Sequence, residues 1–271
     1  MTCLIKRNLV EFERGIFDGI LDCTYIILCC GPDPNRLESV KEQLKILRPS
    51  KKVHLMFFAG YRKCDISVAT NDDLINNILY IFNEAIENGS KRIMVLEDDF
   101  FLTEPISETD SGRINDFVTK KDPDVYSSGS FCIPTVSTIL SYHNKASFGI
   151  IGVAHCMMYN SDFMLKYIYY MNNNDKTSLN TDVSTKDITS DVYRYYKPLV
   201  YQKFEATENQ VIGWHKSLGK CGKPLISLYL YFVRLVRLDK QPQPGFFIAY
   251  YFPLVILTII IVCIAYKIVR R

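Results

Sequence analysis

The sequence predicts an α/β protein, a mixed and mostly parallel sheet flanked by helices, followed by a C-terminal transmembrane helix. Three observations predict it. Over the first hundred residues, apolar strand-like runs alternate with segments of helical periodicity, the pattern of parallel strands joined by right-handed crossovers. One of these runs, Ile93-Met94-Val95-Leu96, is apolar throughout, as a strand buried on both faces must be, and leads straight into Glu97-Asp98-Asp99. Residues 246–266 carry no charge, and about 21 such residues suffice to cross a hydrocarbon core of roughly 30 Å as a helix.

Taken in order, the residues up to Asp22 are mixed in character and single out no one element, a short helix or a strand pair being equally open. Thr24 to Cys30 is a β-rich run stopped by Gly31-Pro32-Asp33-Pro34. Asn35 to Leu44 places Leu37, Val40 and Leu44 at helical spacing, and Val53 to Ala59 is a second strand ending at Gly60. Asp72 to Asn88 is a helix with Leu74, Ile78, Ile81, Phe82, Ala85 and Ile86 on its inner face, capped by Asn71 or Asp72 and stopped by Gly89. The strand ending in acids follows. Beyond it, Glu104 to Asp122 has helical character, Asp124 to Gly129 predicts a fourth strand, and Phe131 to Lys145 a loop or hairpin. Gly149 to Tyr159 predicts a fifth strand and Ser161 to Tyr170 a helix. Asn172 to Lys176 is a polar turn. Leu225 to Lys240 is amphipathic, with Arg234, Arg237 and Lys240 along one side, as in a helix lying on a membrane surface or in an ordinary packing helix. The expected organisation is a domain at 1–222, a juxtamembrane segment and linker at 223–245, the span at 246–266 and a basic tail at 267–271. Pro253 bends such a span without excluding it.

A charged fraction of 23%, a hydrophobic fraction of 48% and a net charge of +3 are ordinary for a globular chain. Lys and Arg are dispersed, which argues against a nucleic-acid groove. The nine cysteines show no C-x-x-C pair and no zinc spacing. An odd count without a framework fits a reducing compartment, and no signal peptide opens the chain, so the expectation is a single-pass membrane protein with a cytosolic domain. Asn88-Gly89-Ser90 forms a glycosylation sequon, which points weakly the other way.

Three adjacent carboxylates repel one another, and a fold that keeps them at a buried strand's end requires a compensating cation or donor network. A hard divalent ion, Mn²⁺ or Mg²⁺, suits such oxygen ligands and leaves positions for substrate phosphates. Ligands of open α/β sheets bind at the carboxyl ends of the strands. The competing reading is a solvated acidic turn. His155, within an apolar run, reads as a satisfied core histidine, whereas His215, beside the lone Trp214, could supply a late metal ligand.

The order of elements, with Asn35-Arg36-Leu37, Val95-Leu96-Glu97-Asp98-Asp99, the stretch from Gly152 to Asn160, Pro198-Leu199-Val200-Tyr201-Gln202 and Thr207-Glu208-Asn209-Gln210, resembles the glycosyltransferases of the lipopolysaccharide-biosynthesis and collagen-galactosyltransferase family, particularly relatives carried by large DNA viruses. The chain departs from that family at Leu28-Cys29-Cys30, where Asn-Leu-Asp is usual. The resemblance implies a GT-A-like (Rossmann-like) fold and transfer of a sugar from a nucleotide-sugar donor, a UDP-sugar, to a glycan or glycoprotein acceptor. It implies Asp99 as the main metal ligand with Glu97, contact of Arg36, Asn71, Glu97 and Asp98 with the nucleotide, and an upstream Asp in the closing block. As a general base, Asp187 is the first candidate, with Asp182 or Asp191 as alternatives. Two rival readings remain: a metal-dependent nucleotidyl or phosphoryl transferase, which needs no Gly-rich phosphate loop, and an inactive membrane-anchored scaffold of the same fold.

Overall fold

A computed structural model describes residues 3–28, 34–60, 63, 70–102, 104–129, 141–145, 155–176, 181–196 and 199–202, together with 224, 227, 228, 231, 235, 255–263 and 266. The element order is β1 (Leu4–Glu11), β2 (Cys23–Leu28), α1 (Pro34–Leu47), β3 (Lys52–Phe58), α2 (Thr70–Glu87), β4 (Arg92–Glu97), β5 (Phe100–Phe101), α3 (Glu108–Lys121), β6 (Val125–Ser127), β7 (His143–Lys145), β8 (Cys156–Asn160), α4 (Ser161–Asn172), α5 (Thr181–Ile188), β9 (Val192–Tyr195) and β10 (Tyr201–Gln202).

Eight strands form one sheet in the order β1-β3-β2-β4-β8-β6-β9-β7, and β5 pairs with β10 separately. The sheet is mixed rather than mostly parallel. Pairs β2/β3, β2/β4 and β6/β9 are parallel, while β1/β3, β4/β8, β6/β8 and β7/β9 are antiparallel. The strand–helix alternation that forces parallel pairing holds from β2 to β4. It stops after α3, and β8 returns in the opposite direction between β4 and β6.

Alternation along each strand divides the interior into two layers. Tyr25, Ile27, Ile93, Val95, Met157 and Tyr159 meet α2 and α4 on one face, and Ile26, Leu28, Met94, Leu96 and Met158 meet α1 and α3 on the other. Phe82 of α2 anchors the first layer by edge contacts to Tyr159, Phe163 and Tyr167. The inner face of α2 is as expected at Ile78, Ile81, Phe82 and Ala85, with Ile75 added, and Leu74 and Ile86 only partly buried. Gly89 takes φ +71 after α2, and Ser90 N donates to Ala85 O at 2.9 Å, the left-handed helix stop that glycine permits.

β1, which the sequence does not single out, is an edge strand whose exposed Lys6 and Arg7 discourage further pairing. Its Arg7 ties the edge together. The guanidinium donates to His54 Nδ1 of β3 at 2.7 Å and pairs with Glu84 of α2 at 2.8 Å, while Tyr25 stacks on His54 and donates to Glu84. Burial first, then Arg7 and Lys52, depress the pKa of His54 to about 4.

One expectation changes here. Cys3 is disulfide-bonded, whereas Cys23, Cys156 and Cys263 are free. The expectation of unpaired thiols therefore does not hold at Cys3. Among the described residues no helix is long and apolar enough to cross a membrane. Residues 255–263 of the expected span are helical, with Val255, Ile259, Ile260, Ile261 and Val262 exposed; the rest of 246–266, Tyr266 apart, lies outside the described residues.

His54 yields a test of this edge. Below about pH 6.5 the unfolded chain takes up a proton that the folded chain refuses until about pH 4, so stability falls as pH is lowered between those values. Urea midpoints at pH 7.5 and 4.5 should differ less in His54→Gln than in the parent, the remainder coming from His143, which is likewise depressed to about 4. An unchanged difference would mean that His54 is not held neutral.

Candidate functional site

The chain leaves β2 toward β3 through α1 and returns from β3 to β4 through α2, and the two helices lie on opposite faces of the sheet. Neighbouring strands β2 and β4 therefore mark a topological switch point, where a crevice opens beyond the carboxyl ends. The acidic turn sits there. Glu97 ends β4 and is half-buried, and strand alternation puts its side chain on the face of Ile93 and Val95, toward α2. Asp98 turns to α1, where Arg36 donates to its Oδ1 at 2.8 Å. Asp99 is 7% exposed. The alternative of a solvated acidic turn does not match these positions.

The turn is held from three sides. The N–H of Glu97 donates to His155 O at 3.1 Å, joining it to the start of β8. Just beyond, Gln43 of α1 accepts from Leu102 N at 2.6 Å and fixes the strand that leaves the acids. Finally, β10 lies antiparallel on β5, with Tyr201 opposite Phe101 and the two rings stacked at 5.5 Å. Leu199 to Gln202, about 100 residues later in sequence, are thus brought beside the acids; Pro198 lies outside the described residues.

Val200 is the anchor of that return. Its N–H donates to Ser128 O at 3.3 Å, its carbonyl lies 3.0 Å from His155 Nε2, and its side chain is fully buried. His155 is the buried, hydrogen-bonded histidine expected from the sequence. Beside it, Ser128 Oγ lies 3.1 Å from Cys156 Sγ, and complete burial pushes that thiol up to about 12, so Cys156 is no nucleophile at neutral pH.

Other expected residues lie elsewhere. Asp187 is exposed in α5, accepting from Tyr170 at 3.5 Å. Asp191 serves the opposite edge of the sheet: its carbonyl accepts from Val125 N, where β6 begins, and its carboxylate lies 3.4 Å from Lys121. Asp191 thus sits at the amino ends of β6 and β9, away from the carboxyl end of β4. Asn71 and Asp182 lie in the first turns of α2 and α5, but their side chains are outside the described residues, as is all of His215.

Among the described residues no group of three His, Cys, Asp or Glu side chains converges on a metal position. A Mg²⁺-like ion that keeps waters and binds substrate phosphates needs only one or two carboxylates, and Glu97 and Asp99 supply oxygen donors of that kind.

No protein-family model and no curated protein sequence matches the chain. Among solved structures it is similar to a glycosyltransferase involved in the glycosylation of the major capsid of PBCV-1, with 8% identity, a TM-score of 0.42, and coverage of 68% of this chain and 94% of that one. At that level the functional reading rests on the site itself.

Gln43, Ser128 and Gly129 escape a reading of the sequence, since none belongs to a charged or periodic pattern. Gly129 could be found only as a residue closing a strand. A Cβ there would lie 2.6 Å from His155 Nε2, 2.8 Å from Cys156 Cβ and 2.9 Å from Val200 O. Gly129→Ala should accordingly cost about 1–3 kcal/mol through overpacking, read as a lower urea midpoint; a midpoint equal to the parent's would show that the packing around Val200 is looser than described.

Proposed function

We propose that the α/β domain is a GT-A-type glycosyltransferase that moves a sugar from a nucleotide-sugar donor, a UDP-sugar, to a glycan or glycoprotein acceptor. The observation that carries this reading is the inward-facing acidic turn at the β2/β4 switch point, with Arg36 already paired to Asp98. That placement suits a diphosphate-bearing ligand, because the carboxyl ends of parallel strands open the crevice and the first turn of α1 stands beside it. Glu97 and Asp99 would hold a divalent cation, which supplies neutralisation of the charge that builds on the departing diphosphate. Arg36 orients Asp98 and adds positive charge next to the same position.

The acceptor hydroxyl loses its proton only as it attacks, so an inverting reaction needs a carboxylate opposite the leaving group. Asp187, exposed near the end of α5, and Asp182, in its first turn, compete for that place, with Asp191, beside Lys121, as the further alternative. The apolar stretch 246–266 would anchor the domain to a membrane; its support is the uncharged sequence and the exposed apolar helix at 255–263. The disulfide at Cys3 withdraws the thiol count as support for a cytosolic domain.

Ligand-induced stabilisation separates the readings. UDP-sugars with Mn²⁺ or Mg²⁺ should raise the thermal midpoint of the full chain, by about 2.7 kcal/mol of stabilisation at a hundredfold excess over Kd. Asp99→Asn should abolish the metal-dependent part and lower donor turnover by about 10²–10³-fold. Stabilisation by nucleoside triphosphates alone would favour nucleotidyl transfer. A folded protein indifferent to both classes would be a scaffold.

Anchoring is tested separately. Deleting residues 246–271 should move the protein from the membrane pellet to the supernatant after carbonate washing, and retention in the pellet would place the anchor elsewhere.

A further inference from the structure

On the outer side of α3, Arg113, Asp116, Phe117, Lys120 and Lys121 recur at intervals of three and four and so share one stripe. With His143 of β7 they line a groove of about 490 Å³. β7 is four places from β4 in the sheet order, roughly 19 Å at about 4.8 Å per strand, so the groove is separate from the acidic turn. Its composition is unusual for a solvated helix face, which ordinarily carries no aromatic ring.

Phe117 is only partly buried and stacks on His143 at 4.1 Å, with the two planes 5° apart. Behind it stand Tyr193 at 5.1 Å and Tyr126 at 5.8 Å. Tyr142, 48% exposed, carries the Arg113 guanidinium 4.0 Å above its ring. The rim holds three cations and one carboxylate. Arg113 lies 4.0 Å from Asp110, and Lys121 is shared with Asp191 at 3.4 Å. Lys120 has no acidic partner among the described residues. His143 adds no charge at neutral pH, because burial and then Arg113 depress it.

We infer that this groove binds an anionic saccharide, its sugar rings lying against the Phe117/His143 wall and its acidic groups paired with Lys120, Lys121 and Arg113. Flat aromatic faces accept the C–H face of a pyranose, and Lys and Arg supply charge-assisted bonds to carboxylate or sulfate. Asp116 discriminates among polyanions. In the middle of the stripe, its carboxylate can accept from sugar hydroxyls, whereas it repels the phosphate chain that a basic and aromatic strip would otherwise attract. The site stands independently of the transferase reading and would bind its ligand even in a chain without catalytic activity.

The test is isothermal titration of the full chain in detergent with a carboxylated oligogalacturonate and with its methyl-esterified, uncharged counterpart. The acidic form should bind, and the ester should bind at least tenfold more weakly. Lys120→Gln, at an exposed position, should weaken the acidic form about tenfold or more while leaving the thermal midpoint in place; Phe117→Leu, at a partly buried position packed on His143, Tyr126 and Tyr193, should weaken it by a similar factor, with its own thermal midpoint measured alongside. Absence of binding, equal binding of the ester, or insensitivity to either substitution would overturn the assignment. So would displacement by polyuridylate at lower concentration than the oligosaccharide itself, which would make the groove a nucleic-acid site.

Discussion

The structure depends on one demand: three consecutive carboxylates must follow a strand that has no polar side chain between Arg92 and Glu97. β4 is flanked on both sides by other strands, so its end cannot bend freely into solvent. The fold divides the charges instead. Alternation sends Glu97 to the α2 side, the turn sends Asp98 to α1, and Asp99 is left buried between them. Arg36 makes this tolerable, because a mostly buried carboxylate deprived of its cation typically costs about 3–5 kcal/mol. α1 is therefore more than a cover for the sheet.

The amino end of β4 is clamped by charge as well. Asp22 accepts from the backbone of Lys91 and Arg92, and the Arg92 guanidinium donates to Pro123 O and pairs with Asp122. Burial lowers the Arg92 pKa from its ordinary value, against the opposing pull of Asp122 and Asp124. Lys166 and Thr189 then tie Asp124 to α4 and to the connection before β9. With both ends fixed by ionic or hydrogen-bonded contacts and the middle by apolar packing, the register of β4 is pinned along its whole length. The candidate site inherits its rigidity from this arrangement.

What could be read from the sequence depends on where strong patterns lie. The apolar runs of β2, β3 and β4 and the periodicity of α2 were legible because each buries a whole face, and a buried face has few alternative compositions. The acids at 97–99 were legible because charge at the end of such a run has few explanations. β1 was not legible: its outward Lys6 and Arg7 leave no apolar period. The antiparallel return of β8 was hidden because strand direction is set by connections, and the alternation says nothing once crossover helices cease. Asp191 looked eligible as a base because spacing along the chain does not reveal which end of a strand a residue occupies. The Cys3 disulfide was illegible for the same reason: its partner is fixed by proximity in space.

The chain comes back to the acids at β10, and that return is fixed. Val200 is fastened through its amide, its carbonyl and its side chain, and β10 lies directly on β5. Residue 202 is therefore a fixed point beside the acidic turn. The two candidate bases of α5 differ in position along one helix: Asp182 is in its first turn, and Asp187 is near its end with its carboxylate at Tyr170. At about 1.5 Å of rise per residue the five positions between them amount to roughly 7.5 Å, enough that a ligand seated at the acids is served by one of them and not by both.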